Sequence, residues 1–211
     1  MQSPSPASRK MDRRTLYTVG VIKDALLELL EHSPFDKITV AALCRQAEIT
    51  RATFYLHFQS LDEVLGDVLD DALMVAESAA HQMSTEERME ALERLTRTGT
   101  ADDLRKNEHL LSPCQRVADN PKYRAIFQDP TLSGYVIQRI YMMERGAFTE
   151  YMSKRTGLAK ADADRLFMML VYGLFYMNRA LKWSKDESWY RMQLLVNQLM
   201  FGGLDALSKH P

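Results

Sequence analysis

The sequence predicts an all-α protein of about nine helices, and three observations lead to this prediction. Apolar residues recur every three or four positions along most of the chain, which is the spacing of one face of an α-helix. Residues that favour helix N-caps precede these periodic segments at Thr39, Thr50, Ser60 and Ser84. Alternating apolar and polar residues, the pattern of a half-buried strand, are nearly absent. The regular elements are therefore expected to be helices throughout.

The first half of the chain divides into segments that each have a clear start. An amphipathic helix is expected at about 13–32, and three short capped helices are expected between 39 and roughly 81. Ser84 and Glu87 form a capping box that opens the next helix, because each can satisfy the backbone N–H group of the other. Gly99 is expected to end that helix.

The second half of the chain is expected to be helical as well. Pro113 interrupts the first of its segments, and Pro121 suits the first position of the next helix. Ser184 and Glu187 form a second Ser-x-x-Glu box, which is expected to open the last helix. The expected helices are 101–119, 121–128, 131–156, 161–183 and 186–208.

Charge is distributed unevenly along the 211 residues, although the net charge is only −1. Residues 1–58 contain eight Lys or Arg against six Asp or Glu, whereas residues 59–211 contain nineteen against twenty-two. Phosphate binding needs local positive charge rather than a basic protein as a whole. A nucleic-acid site is therefore expected near the N-terminus. Four basic residues there either contact DNA or only aid solubility: Arg9, Lys10, Arg13 and Arg14.

Neither secretion nor membrane insertion is expected. The first residues are rich in Ser and Pro and lack the apolar stretch of a signal peptide. The longest apolar run, Phe167 to Met177, has eleven residues, whereas a membrane span needs roughly 20. Cys44 and Cys114 are expected to be buried thiols in a reducing cytosol, with a redox-sensitive thiol as the alternative. These features predict a cytoplasmic protein without membrane contact.

Residues 38–63 have the pattern of a helix-turn-helix. Three capping residues within this short stretch leave room for two helices of about two turns, joined by residues 47–49. In a helix-turn-helix the second helix enters the major groove of DNA, although similar helix pairs also occur as simple packing units. The exposed face of 50–57 favours DNA binding because it carries donors for phosphates or base edges: Arg51, Thr53, Tyr55 and His57.

Two strings in this region resemble the N-terminal domain of the TetR (tetracycline-repressor-like) family of transcription regulators. They are PFDKITV at 34–40 and TRATFYLHF at 50–58, and the resemblance covers about residues 13–66. It implies a homodimer that binds a near-palindromic operator in double-stranded DNA. We therefore divide the chain into a flexible basic tail at 1–12, a helix-turn-helix domain at 13–60 and a helical effector-binding and dimerisation domain at 61–211.

Matched position by position, the resemblance assigns two sets of DNA contacts. The base-facing positions are Arg51, Ala52, Tyr55 and Leu56. The phosphate-contacting positions of the family are occupied by Thr39, Thr53, Tyr55 and His57. We keep Tyr55 with the base-facing set, add Thr50, and so assign phosphate contacts to Thr39, Thr50, Thr53 and His57. The guanidinium of Arg51 can donate two hydrogen bonds to O6 and N7 of guanine, a contact that discriminates by about 1–3 kcal/mol. Ala52 and Leu56 can offer only apolar contact, for instance to a thymine methyl group.

The sequence departs from the family pattern at two positions. Glu48 stands where the family usually has Gly in the turn, so strain or a different turn geometry is expected there. Leu61 stands where the family usually has a Lys that reaches a phosphate. With one phosphate contact fewer, the plot of log binding constant against log salt concentration is expected to be less steep by about one unit.

The predicted helix 161–183 is apolar on nearly every side, so more than one of its faces should be buried. The resemblance implies that the last two long helices form the dimer interface, to which we assign Leu166, Leu170, Gly173, Leu174, Met177, Leu181, Met192, Leu195, Val196 and Leu199. A second apolar set is assigned to a ligand pocket: Tyr141, Phe148, Met168, Tyr172, Phe175 and Tyr176. Met and aromatic side chains suit a permissive apolar ligand, and a plain core is the alternative.

The predicted function is a DNA-binding regulator, in the first instance a repressor released by a small apolar or aromatic ligand. The same strings are also similar to a subgroup near the dihydroxyacetone-kinase activator, which implies control by a protein partner and leaves activation open. A helical enzyme is a remote third hypothesis. The five histidines include no pair at helical spacing, and no Gly-rich phosphate loop or nucleophile elbow occurs. No catalytic residue, metal site or cofactor is predicted.

Overall fold

The structure, a computed structural model, describes residues 13–78, 83–118 and 120–208. Every regular element in these ranges is helical, with eleven α-helices and three short 3-10 turns. The all-α prediction is confirmed. The expected number of about nine helices was too low, partly because the segment predicted at 101–119 contains two α-helices and a 3-10 turn.

The chain folds into two compact units, and the boundary between them lies between Val68 and Leu69. This boundary falls inside a single helix, Leu61–Ser78. The division into domains that the sequence suggested, with a break between 60 and 61, stays a prediction. The basic tail predicted at 1–12 lies outside the described residues.

The first unit is built from three helices and the beginning of a fourth. These are α1 (Arg13–Leu30), α2 (Val40–Gln46), α3 (Arg51–His57) and α4 (Leu61–Ser78), with a 3-10 turn at Phe35–Lys37. Their apolar faces meet in a core whose fully buried members are Ile22, Leu26, Leu43, Phe54, Val64, Leu65 and Val68. Two polar contacts at the edge of this core hold neighbouring helices to α1. Gln46 Nε2 of α2 donates to Glu28 at 2.6 Å, and Lys23 lies 3.6 Å from Asp67 of α4.

The second unit contains the other seven helices and the rest of α4. The helices are α5 (Thr85–Thr98), α6 (Ala101–Lys106), α7 (Pro113–Val117), α8 (Arg124–Gln128), α9 (Ser133–Thr156), α10 (Lys160–Ala180) and α11 (Glu187–Ser208). The long helices α9 and α10 pack on each other most extensively, and α11 packs on α5, α6 and α9. Arg155 of α9 joins three of these helices, because it pairs with Glu93 of α5 and with Asp205 of α11.

The caps of α5 are as predicted. Ser84 accepts from the backbone N–H of Glu87, and the Glu87 carboxylate accepts from the N–H of Ser84 at 2.8 Å, which is a complete capping box. These hydrogen bonds lower the pKa of Glu87. Gly99 follows the last helical residue.

Two other predicted helix starts were wrong in detail. Helix α11 is capped by Asp186, which accepts from the N–H of Trp189 at 2.9 Å, so Ser184 lies two residues before the cap. Pro121 lies in the turn that precedes α8 rather than in its first turn. At the start of α4 the predicted cap is present, because Ser60 accepts from the N–H of Glu63 at 3.2 Å, while the Glu63 carboxylate accepts from the N–H of Gln59 at 2.5 Å. At α11 a neighbouring carboxylate satisfies the same kind of backbone donor as Ser184 would, and spacing alone does not distinguish the two.

Candidate DNA interface and ligand cavity

The helix-turn-helix in the first unit begins with two threonine caps. Thr39 accepts from the N–H of Ala42 at 3.1 Å, and Thr50 accepts from the N–H of Thr53 at 3.0 Å. Each cap satisfies one of the backbone donors that an isolated helix start leaves without a partner. Phe54 is fully buried, so it anchors α3 in the core of the first unit while the opposite face of the helix stays at the surface.

Helix α2 ends in a turn in which one residue, Glu48, has the left-handed backbone conformation. The N–H of Glu48 donates to Arg45 O at 3.3 Å, and the N–H of Ile49 donates to Cys44 O at 2.9 Å, which is the pair of bonds of a Schellman motif. The φ of Glu48 is +52°, a value that Gly adopts at lower cost because it has no Cβ. The positive φ of Glu48 agrees with the strain that was one of the two alternatives expected from the sequence at this position.

The four residues predicted to face bases form an exposed surface on α3. Leu56 is 81% exposed and Tyr55 is 52% exposed, and Arg51 and Ala52 are exposed as well. An apolar side chain with four-fifths of its surface in water is an unusual choice for a surface helix unless another surface covers it. This surface is small, mixed in polarity and convex, which suits insertion into the major groove.

The four residues predicted to contact phosphates lie beside this surface. Thr39 and Thr50 are exposed, whereas Thr53 and His57 are half-buried. The hydroxyls of Thr50 and Thr53 lie 2.9 Å apart, so one of them donates to the other. The hydroxyl that accepts in this pair keeps its own O–H available to donate to a phosphate.

Residues 22–68 match the family model described as bacterial regulatory proteins of the tetR family. The chain therefore carries a DNA-binding domain of the TetR type. The matched segment lies within the first unit and contains both helices of the helix-turn-helix. The resemblance that the two sequence strings suggested is thus confirmed, and with it the role of the chain as a DNA-binding transcription regulator. No curated protein matches the sequence.

The second unit contains a largely apolar, partly open cavity of about 80 Å³ lined by residues of α5, α7, α9, α10 and α11. Its apolar lining consists of Met89, Leu92, Leu110, Cys114, Ile140, Phe148, Phe167, Leu170, Val171, Leu174, Phe175, Trp183 and Met200. Six polar side chains interrupt this lining: Arg88, Ser112, Gln115, Glu144, Asn178 and Asn197. A mainly apolar wall with a few polar groups is the usual composition of a small-molecule site.

The residues predicted for the ligand pocket divide into three groups. Phe148 and Phe175 line the cavity. Tyr141 is buried outside its wall and donates to Asp164 at 2.6 Å, a hydrogen bond that raises the pKa of the Tyr141 phenol. The other three members of the predicted set are exposed on α10: Met168, Tyr172 and Tyr176. The structure thus brings two of the six together at the cavity.

The residues predicted for the dimer interface are also divided. Gly173, Leu195 and Leu199 are exposed. Leu170 and Leu174 line the cavity instead, at half-buried positions. The remaining members are half-buried: Leu166, Met177, Leu181, Met192 and Val196. Helix α10 therefore has an inner apolar face toward the cavity and an outer one at the surface, and periodicity alone does not tell which face is which.

The polar part of the cavity wall was missed by sequence reasoning. Arg88 of α5 lies 3.6 Å from Glu144 of α9, and each side chain is only 13% exposed. Asn178 belongs to a buried chain of amides, in which Gln115 donates to Gln193 and Gln193 donates to Asn178, each at 2.6 Å. Sequence separations of 15 to 78 residues along this chain leave no local signal of these contacts.

The two cysteines are thiols without a disulfide. Burial raises the pKa of the Cys44 thiol, and it raises the pKa of the Cys114 thiol to about 12. A thiol reacts as the thiolate, so both groups are poorly reactive at neutral pH. This favours the expected role as packing residues over a redox switch. Within the described ranges, no three His, Cys, Asp or Glu side chains are placed to hold a metal, and no helix is long and apolar enough to cross a membrane.

Proposed function

We propose that the protein is a transcriptional repressor whose operator binding is released by a small, largely apolar ligand held in the cavity of the second unit. The observation that carries this proposal is the cavity itself, because close-packed cores leave few spaces larger than a water molecule. No reaction is assigned to the protein, and its site of action is in the cytoplasm with the DNA.

We assign the reading of bases to Arg51, Ala52, Tyr55 and Leu56. Their common exposure on α3 supports this assignment, since a buried side chain could not reach a base edge. Phosphate contacts are assigned to Thr39, Thr50, Thr53 and His57, which lie on or beside α2 and α3. In this arrangement the phosphate contacts set the position of the helix, and Arg51 supplies most of the sequence preference.

A homodimer is part of the proposal, because a near-palindromic operator is read by two identical recognition helices. The outer apolar surface of α10 and α11 supports such an interface. Its exposed apolar members are Met169, Tyr172, Tyr176, Leu195 and Leu199. Gly173 lies on the same surface with no atom within 4 Å of the place a Cβ would occupy. This set includes part of the interface predicted from the sequence and two residues predicted for the pocket.

The dimer is tested by placing a charge on this surface. Leu199→Glu is expected to give a monomer in analytical ultracentrifugation, because a buried carboxylate in an apolar interface is costly. Met142→Glu is the matched control, since Met142 is an exposed apolar residue of α9 and not part of the proposed surface. Dimers that persist in Leu199→Glu, or dissociate equally in both variants, would place the interface elsewhere.

Control by a protein partner is the second candidate. The size of the cavity favours it, since about 80 Å³ is well below the roughly 300–1,000 Å³ of ligand pockets in general. Exposed methionines on α9, Met142 and Met143, add an adaptable apolar surface of the kind that protein partners use.

The deciding experiment begins with selection of bound DNA from a random pool by the full-length protein. The expected product is an inverted repeat with half-site centres about 34–36 Å apart, or a multiple of that distance. A library of small neutral compounds is then screened for release of this operator in a gel-shift assay. Release by a compound whose binding is lost in the cavity-filling variant Leu174→Trp supports ligand control. Release only by a protein fraction, or by compounds that still bind this variant, contradicts it.

A further inference from the structure

The end of α10 has an unusual backbone conformation at two successive residues. The N–H of Lys182 donates to Arg179 O and the N–H of Trp183 donates to Asn178 O, both at 2.9 Å, so α10 ends in a Schellman motif. That motif requires one left-handed residue, and Lys182 with φ +54° fills this role. Trp183 is left-handed as well, with φ +52°, which the motif does not require. A bulky aromatic residue rarely adopts this conformation, and surrounding packing must hold it there.

The packing that holds Trp183 lies at the cavity. Its side chain is 3% exposed and lines the cavity wall. Its ring makes edge-on contacts with Phe127 at 5.3 Å and with Phe175 at 5.4 Å between centroids. The strained turn therefore places an indole in the wall of the cavity, beside two phenyl rings.

One hydrogen-bond donor at this end of the cavity lacks an acceptor among the described residues. Trp183 Nε1 is buried and has no partner among the described residues. A buried N–H without an acceptor is costly, so such groups are rare unless another molecule supplies the acceptor. The indole N–H of Trp183 suits an oxygen atom of a ligand as its acceptor.

The charges in the wall are already balanced. Arg88 and Glu144 lie 3.6 Å apart and both line the cavity. A ligand with a net charge would leave this largely buried region with one uncompensated charge, which is unfavourable in an apolar environment. The wall therefore favours a neutral ligand.

The volume limits the ligand further. A cavity of about 150 Å³ is known to hold one benzene ring, whereas this cavity has about 80 Å³. A ring-sized ligand can enter only if part of the wall moves. Trp183 is the wall residue whose backbone is strained, so its displacement would also relieve strain.

We infer that Trp183 is the gate and the recognition residue of the cavity, and that the ligand is a compact neutral molecule with an apolar or aromatic body and one hydrogen-bond-accepting oxygen, such as a carbonyl. This inference rests on the proposed function, because it assigns a chemical class to the ligand of that cavity. The ligand oxygen accepts from Trp183 Nε1 while its apolar body occupies the space that the moving indole opens.

The first test observes the indole N–H directly in the full-length protein labelled with ¹⁵N. The chain has two tryptophans, Trp183 and Trp189, so two indole signals are expected and Trp189→Phe assigns them. The probes are acetophenone and ethylbenzene, which have similar shapes but differ in the carbonyl oxygen. Acetophenone is expected to shift the Trp183 signal downfield and ethylbenzene is not. An unmoved Trp183 signal at saturating acetophenone, or no binding of either probe at millimolar concentration, overturns the inference.

The second test compares affinities by calorimetry in matched variants. Trp189 Nε1 is also buried without a partner in the described residues, but Trp189 does not line the cavity, so Trp189→Phe is the control for Trp183→Phe. Acetophenone is expected to bind the wild type and the control roughly tenfold more tightly than ethylbenzene, the size of effect that one buried hydrogen bond gives. In Trp183→Phe the ratio of the affinities for acetophenone and ethylbenzene should fall to near one. A preference that survives in Trp183→Phe contradicts the inference.

Operator release is measured separately, with acetophenone added to the complex of protein and selected operator. Acetophenone that shifts the Trp183 indole signal but leaves the operator bound would support the proposed class of ligand and contradict ligand control of DNA binding. Release without a change in the Trp183 signal would sustain ligand control and overturn the role of Trp183. The two proposals therefore fail in distinguishable ways.

Discussion

The two units of the protein differ in where they keep their polar groups. Among the described residues, every buried polar side chain lies in the second unit: Thr96, Gln115, Asp129, Ser133, Thr149, Thr156, Asn178 and Gln193. The core of the first unit is apolar throughout, and the polar side chains that we assign to DNA contacts lie on the outer face of α3 and at the helix caps.

This difference matches what each unit has to recognise. DNA stays outside the protein, so a unit that reads DNA needs a firm apolar core and a polar or mixed surface. A small molecule that enters the protein must meet its polar partners inside, and those partners must be satisfied or nearly so before it arrives. The buried amide chain and the Arg88–Glu144 pair of the second unit meet that need. The second unit should therefore depend on its buried polar contacts, and the first unit on the exposed side chains of α3.

The largest effect is expected from breaking the buried amide chain. Gln193→Leu keeps most of the side-chain volume but leaves the amide of Gln115 and the carbonyl of Asn178 without their partner. We expect a loss of about 2–4 kcal/mol in the free energy of unfolding, because two buried polar groups become unsatisfied. Urea unfolding followed by tryptophan fluorescence measures it, since both tryptophans lie in the second unit.

Gln138→Leu is the matched control, because Gln138 is an exposed glutamine on α9. It is expected to change stability by less than about 0.5 kcal/mol. Equal losses in the two variants would show that the amide chain is no more important than a surface residue, and the contrast between the units would fail.

A somewhat smaller effect is expected at the surface of the first unit. Arg51→Ala should weaken binding to the selected operator by roughly 1–3 kcal/mol and relax the preference at one base pair of each half-site, while binding to random DNA changes little. Competitive gel-shift titrations with operator and random DNA measure both quantities.

The phosphate contacts supply the comparison for Arg51. Thr53→Ala and His57→Ala are expected to weaken binding to both DNAs alike, because phosphates carry no sequence information. Equal losses for Arg51→Ala on the two DNAs would show that Arg51 contacts a phosphate, and the base-facing assignment would have to move to Tyr55.

Sequence reasoning reached further in the first unit than in the second. The caps at Thr39 and Thr50, the buried Phe54 and the exposed face of α3 all follow from spacings of three or four residues, so a local pattern contains them. Strain or a different turn geometry was expected at Glu48, because the family usually has Gly there, and the left-handed φ of Glu48 agrees with the first of these alternatives.

The cavity was only partly foreseeable. Phe148 and Phe175 were expected in a pocket because they are aromatic and lie on the predicted faces. Arg88, Glu144 and Trp183 were not, since each reaches the wall through packing between helices that are distant in sequence. Trp183 lies at the end of α10, where an unusual φ directs the chain, and single-sequence patterns do not encode such a conformation. Helix α10 carries apolar residues on two faces, so only the fold decides which face is inner.

The smallest effect is expected from relieving strain at equivalent turns in the two units. Glu48 and Lys182 both occupy the left-handed position of a Schellman motif, with φ of +52° and +54°. Glu48→Gly and Lys182→Gly should each stabilise their own unit by about 0.5–1 kcal/mol, since the left-handed conformation is less costly for Gly but the unfolded chain also gains freedom. Gln138→Gly, in the middle of α9, should instead cost about 0.5–1 kcal/mol.

The two probes of unfolding separate the units in this experiment. Far-ultraviolet circular dichroism follows all helices, whereas tryptophan fluorescence follows only the second unit. Glu48→Gly should raise the melting temperature by a few degrees in the dichroism signal and leave the fluorescence transition in place, while Lys182→Gly should raise both. A gain from Lys182→Gly that is absent from Glu48→Gly would mean that the left-handed position of the motif is strained only at the end of α10. Equal gains would mean that the motif is strained alike in both units, so that only the additional left-handed residue, Trp183, distinguishes the turn beside the cavity from the turn beside the DNA.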